Sequence, residues 1–407
     1  MFDMDIKIIR AEKYAVLSSC CGVSGETVLT DSAVILLVAA TVGGGNAMGM
    51  LLMAILPLLN GVLILPMVKF SLLFGSRSLV IGANILALAG YFTAASALFF
   101  NKAGEILLLS GVFLFALCQT GFVAGWFPFL DDFLQAERRA LFLGRMRFWH
   151  QIAATVLLGA AWLYLGETPS AAELQVVLFG GGIIFAGRLL FIKCIPHFPG
   201  KERKNLLWRK GLKKAVHNSK LMYFSFYTFC FNAGTFAVAG IIMMELKNFS
   251  RVTEDDIVLV SSVLAAALAA GYAIAPLFER KLGNRRSLVV IHWLGLLAVS
   301  GIMIIPVSIS AGIICTVCFA ALCCFAIAAN SVTGGARILS LAQKDNKNMA
   351  TALWGLFYYG AAGISRLTAS LVVALSASGS RIVLCISLAA LLTAFLPLQK
   401  LRLADEK

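Results

Sequence analysis

The sequence predicts an all-α membrane protein with 12 transmembrane helices, on three observations. Of 407 residues, 60% are hydrophobic and only 13% are charged, which leaves too little polar surface for a water-soluble chain of this length. The apolar residues come in blocks of about 20 or more, the length a helix needs to cross ~30 Å of hydrocarbon. The basic residues lie in the short breaks between blocks, as membrane topology requires.

The spans fall at about 14–40, 48–68, 78–99, 106–130, 148–165, 174–195, 221–246, 257–278, 287–306, 310–334, 350–375 and 382–398. The first is longer than a bilayer needs, so it tilts, kinks or projects. With the N-terminus in the cytoplasm, only Lys102, Lys247, Arg251 and Arg381 fall outside, and only Arg188 and Arg366 within spans. The other Lys and Arg are cytoplasmic, so both termini are expected there. The longest polar break, 197–220, separates an N-terminal six-helix bundle (1–196) from a C-terminal one (221–407). Its stretch LLWRKGLKKAV reads either as a basic amphipathic helix on the inner leaflet or as a solvated linker.

The net charge of +14 does not imply a nucleic-acid partner, because the basic residues form no single face or tail. The ten cysteines lie in or beside apolar runs and read as small buried hydrophobes rather than disulfides or a metal framework. No cleavable signal peptide is expected. No cofactor or metal is expected, and the lack of a GxxxxGK[ST] loop argues against ATP-driven transport.

Two loops carry a family resemblance. APLFERKLGNRRSL, residues 275–288, matches the chemistry of a G-x-x-x-D-R-x-G-R-R signature through Glu279, Arg280, Gly283, Arg285 and Arg286. A weaker copy, MVKFSLLFGSRSL at 67–79, keeps Gly75 and Arg77 but lacks the acid. FPFLDDFLQAERRALFLGRMRF, residues 127–148, carries Asp132, Glu137, Arg138, Arg139, Gly144 and Arg145 at D-x-x-x-x-x-E-R-R-x-x-x-x-G-R spacing. With twelve spans and a central basic loop, the chain resembles the major facilitator superfamily (MFS). The resemblance implies two six-helix bundles that rock about a central site, with these charged loops as a cytoplasmic gate. Span four has no arginine and span five no GP pair, unlike many drug–proton antiporters of that family.

A charge within the bilayer asks for a partner or a cavity. Glu26 and Asp31 lie in span one and Arg366 in span eleven, helices that the resemblance places at the central cavity. The acids are five residues apart, about 140° around the helix. Ser24 and Thr27 share a stripe with Asp31, and Thr30 shares one with Glu26. The acids are candidate proton carriers, or cation ligands with the hydroxyls, or structural polar groups. Arg366 shares a stripe with Tyr359, Gly363 and Ser370. It is a candidate contact for an anionic solute, or the partner of one acid across the halves. Weaker candidates are Gln119, Phe122 and Trp126 in span four, Tyr227, Asn232 and Thr235 in span seven, and Asn330 in span ten. His150 is expected at the membrane interface, and His292 is not expected to relay protons.

The expectation is therefore a monomeric secondary transporter of the cell's inner membrane, not an enzyme. It would move a small polar or anionic organic solute, with H+ as coupling ion and Na+ as the alternative. Export of an amphipathic compound, or a non-transporting receptor or scaffold, are the other readings.

Overall fold

A computed structural model describes residues 2–100, 103–134, 136–198, 208–248, 252–305, 310–342, 347–376 and 378–405. Helices α1 (Phe2–Thr30) to α7 (Ala171–Cys194) come first: between them run α2 (Ala33–Thr41), α3 (Gly45–Phe74), α4 (Ser76–Ala95), α5 (Gly104–Asp131) and α6 (Ala136–Tyr164). A short α8 (Trp208–Val216) falls on the expected amphipathic stretch. Then follow α9 (Ser219–Thr235), α10 (Val238–Lys247), α11 (Glu254–Ile304), α12 (Ser310–Leu341), α13 (Lys347–Leu375) and α14 (Gly379–Asp405). Apart from one short 3-10 turn (Ser96–Phe99), the described residues are α-helical or connecting.

Among the described residues nine helices are long and apolar enough to cross a membrane, or ten if the bent pair α1 and α2 is one span. All twelve expected segments nonetheless lie on helices. The lower count has two physical causes. α11 joins the eighth and ninth expected spans across Gly283, where the backbone turns without ending the helix. α6 carries Arg145, Arg147, His150 and Gln151 ahead of its apolar run, and they dilute its apolar character.

Gly283 and Gly75 occupy equivalent loops in the two halves. Both hold left-handed backbone, φ 77° and 79°, which a side chain at Cβ would strain. These loops and α8 share one side of the molecule, the basic side.

The first and seventh expected spans are each interrupted. α1 and α2 meet at a 41° bend at Asp31 and Ser32, and Ser32 is fully extended. The freed Ala33 N–H donates to Ser261 Oγ of α11 at 2.8 Å. Phe236 and Ala237 separate α9 from α10. Interrupted helices survive in a bilayer only where other protein groups satisfy the freed backbone.

The halves meet closely along α3 and α13. A Cβ at Gly61 would lie 2.5 Å from the Gly360 Cα, and one at Gly363 would lie 2.4 Å from the Leu58 Cα. On the side away from the basic loops, Asn46 Nδ2 donates to Asn248 Oδ1 at 3.1 Å and Ser370 Oγ to the Ala47 carbonyl at 2.7 Å.

Candidate functional site

Arg366 lies where the two halves touch, and three chain irregularities converge on it. Its Nη2 meets Asp31 Oδ1 at 2.5 Å, at the α1–α2 bend. Its Nε donates to the Phe236 carbonyl at 3.2 Å, at the α9–α10 interruption. Its Nη1 donates to the Met53 carbonyl at 3.0 Å. That carbonyl is available because the residue four ahead is Pro57, which has no N–H to offer it. The Phe236 ring also lies 5.7 Å from the guanidinium. The Arg366 side chain is 8% exposed but that of Asp31 is 43%. The carboxylate end of the pair is therefore open while the guanidinium end is enclosed.

Glu26 belongs to a separate cluster within the N-terminal half. Arg188 of α7 lies 3.7 Å from Glu26 Oε2 and donates to Gln119 Oε1 at 3.1 Å. The Gln119 amide in turn donates to Glu26. Phe122 and Phe185 sandwich the guanidinium at 4.2 and 4.9 Å. Gly22 makes room for it, because a Cβ there would lie 1.5 Å from Arg188 Nε. The two acids of span one thus serve different partners: Glu26 one inside its own half, Asp31 one across the interface. The angular separation of their stripes is the reason.

The other expected site residues divide. Gln119 joins the Glu26 cluster. The stripe of Tyr359, Gly363, Arg366 and Ser370 faces α3 and forms the seam between the halves. Asn232 is buried and donates to the Tyr358 carbonyl at 3.2 Å, tying α9 to α13. Trp126 stacks on Phe122 at 5.1 Å inside an apolar cluster. Tyr227 is buried beside His292 at 6.0 Å. Asn330 is 1% exposed. Thr27, Thr30 and Thr235 donate to carbonyls four residues back on their own helices, so their hydroxyls do not turn towards the acids. His150 bonds Ser19 at 3.0 Å and meets the Tyr272 ring edge-on.

In the basic loops several of the expected gate residues have definite partners. Glu279 accepts from Asn284 at 3.0 Å, and Asn284 also donates to the Thr333 carbonyl at 3.0 Å. Arg280, Arg285 and Arg286 are exposed around Gly283, as is Arg145 on α6. Arg77 donates to the Ile195 and Pro196 carbonyls at 2.9 and 3.3 Å, closing the C-terminal end of α7, where a cation is favoured. Asp132 lies beside it, half-buried. The side chains of Glu137, Arg138 and Arg139 lie outside the described residues.

Two residues escape a reading of the sequence. Arg188 is visible there as an arginine inside an apolar span, a signal that asks for a partner, but nothing local names Glu26. Arg147 looks like one more topology charge beside Arg145, yet it reaches the other half of the molecule.

Membrane-spanning helices in two halves, with a broken helix in each and an ion pair between them, define a secondary transporter. The chain belongs to the Major Facilitator Superfamily, whose family model matches residues 16–366. No curated protein matches the sequence. Solved structures share the fold. A mutant of the nucleoside transporter NupG aligns with TM-score 0.74 at 13% identity, over 97% of this chain and 99% of that one. A mutant of the E. coli fucose:proton symporter FucP aligns with TM-score 0.68 at 12% identity, over 98% and 99%. A bacterial homologue of the iron transporter ferroportin, outward-facing with soaked iron, aligns with TM-score 0.66 at 15% identity, over 96% and 99%.

Proposed function

We propose that this chain is a monomeric proton-coupled symporter of a small polar or anionic organic solute, with its basic side in the cytoplasm of a cell inner membrane. The observation that carries the reading is the Asp31–Arg366 pair. It joins the halves through groups that three helix irregularities leave free.

The halves cannot separate at this level while the pair is closed. A proton on Asp31 removes the negative charge that holds Arg366. An anion arriving at the guanidinium competes with Asp31 for the same donors. Each event favours the other, because each weakens the bond the other must displace. That mutual dependence is a coupling free energy between proton and solute. A ligand drives the conformational change only through its different affinity for the two states, and a guanidinium that changes partners supplies that difference. Glu26, held by Arg188 and Gln119, is the second candidate proton carrier. The exposed basic loops around Gly283 and Gly75 form the cytoplasmic gate, with Gly283, Glu279, Arg280, Arg285 and Arg286 on one side and Asp132, Arg138, Arg139 and Arg145 on the other.

The test uses purified protein in liposomes filled with a pH-sensitive dye. Organic acids, sugars and nucleosides are added in turn under a pH gradient. At least one is expected to drive proton entry, and D31N is expected to abolish it. Undiminished solute-driven proton entry in a D31N/E26Q double variant would overturn the reading.

A further inference from the structure

Arg147 stands near the basic end of α6 and touches the opposite half. Its Nη1 donates to the Ser331 hydroxyl of α12 at 2.9 Å and to the Ser331 carbonyl at 3.4 Å. Both bonds join the halves towards the basic side. The guanidinium lies 5.9 Å from the centre of the Tyr272 ring on α11. His150, about one turn along α6, meets that ring at 6.1 Å and bonds Ser19 of α1 at 3.0 Å. Four helices from both halves thus bring an arginine, a histidine, a tyrosine and two serines together.

The charge balance at this place is incomplete. Arg366 has Asp31 and Arg188 has Glu26. Among the described residues Arg147 pairs with no carboxylate; a hydroxyl, a carbonyl and a ring hold it. Arg147, His150 and Tyr272 are each only half-buried, although all three lie between the two halves. A half-buried guanidinium anchored by neutral groups keeps donors for a carboxylate, which it binds through its planar fork.

A second group of aromatic rings borders Arg366. On α13, Tyr359 packs edge-on to Tyr358 at 5.1 Å, and Trp354 lies 5.2 Å from Tyr358. Phe236, which borders Arg366, meets Tyr358 at 5.7 Å. Tyr359 and Arg366 are seven residues apart on one helix, about 10 Å of rise.

We propose that Arg147 is a second anion-binding point on the transport path and that the solute is an aromatic carboxylate. Its carboxylate binds Arg147 towards the basic side and Arg366 at the middle, and its ring lies against Tyr272 and Tyr359. This deepens the transport reading above and rests on it.

The probes are benzoate and indole-3-acetate, with benzamide as the neutral control, titrated calorimetrically into the protein in nanodiscs. At least one acid is expected to bind at least ~10-fold more tightly than benzamide. R147Q is expected to weaken the acid by ~10-fold or more, and R147K by less, because lysine keeps the charge but loses the fork. R147K carries the test if R147Q does not fold. Failure of both acids to bind, equal binding of benzamide, or full acid affinity in the Arg147 variants would overturn the proposal. The two readings fail separately. Arg147-dependent acid binding without pH-driven proton entry sinks the coupling and leaves the site. Proton entry driven by a non-aromatic solute and indifferent to Arg147 sinks the site alone.

Discussion

Arg366 and Asp31 are 335 positions apart in the chain and 2.5 Å apart in the structure. Their contact closes the interface between the halves, and both ends of it rest on backbone irregularities. Removing either end should therefore have different consequences for stability and for transport. D31N and R366Q singly are expected to lower thermal stability, by ~1–3 kcal/mol, because each leaves a charge or donor without its partner. The D31N/R366Q double variant is expected to recover part of that loss, since neither charge is then left alone. None of the three should move protons with solute. The measurement is thermal unfolding beside dye-reported flux, and strictly additive stability losses would show that the pair is not coupled.

Pro57 makes a prediction of its own. It leaves the Met53 carbonyl for Arg366. In P57A the restored N–H captures that carbonyl within α3, and Arg366 loses one of its three acceptors. Stability should be equal or higher while coupled flux falls, on the order of 10-fold for ~1.4 kcal/mol added to the barrier. Flux at the wild-type rate in a folded P57A protein would mean that the freed carbonyl plays no part.

Gly22 tests the Glu26 cluster without touching its charges. A Cβ in G22A would overlap Arg188 Nε and push the guanidinium from Glu26 and Gln119. A buried charge displaced from its partner costs about 2–4 kcal/mol, so the unfolding temperature should drop clearly. R188M in the same background removes the overlapping charged head and should restore part of the loss. An unfolding temperature in G22A equal to wild type would show that Arg188 has room to spare.

The seam away from the basic side offers a mechanical test. Asn46 and Asn248 are in hydrogen-bond contact there. With the exposed native cysteines Cys194, Cys315, Cys318 and Cys385 replaced, an N46C/N248C variant is expected to crosslink under mild oxidation and to lose flux until reduced. Efficient crosslinking with undiminished flux would rule out separation of the halves at this point.

Much of the architecture could be read from the chain, and the reasons are physical. Helix positions follow from the length of apolar blocks, and the asymmetry of Lys and Arg marks the basic side. The motif glycine at 283 is legible because a turn with φ near 77° favours glycine at that point. The site was legible only in part. Asp31, Glu26 and Arg366 stand out as charges in apolar runs, and their stripes separate the two acids. Trp126 and Asn232 stand out by the same reasoning, but their neighbours Phe122 and Tyr358 were not legible, because stripe position says nothing about which neighbour covers it. His150 is legible as a residue near a span end, but its contacts with Ser19 of α1 and Tyr272 of α11 come only from packing.

By itself, the sequence determined that this is a polytopic helical membrane protein with acids in its first span and an arginine in its eleventh. Those properties rest on one-dimensional quantities: run length, apolarity and the charge of loops. The tertiary structure decided which acid meets which arginine, that Pro57 leaves a carbonyl for Arg366, and that Arg147 reaches Ser331 in the other half. The reason is that a guanidinium takes its partners from whatever helices pack around it. Packing joins residues hundreds of positions apart through shape and backbone irregularity, which no local pattern records.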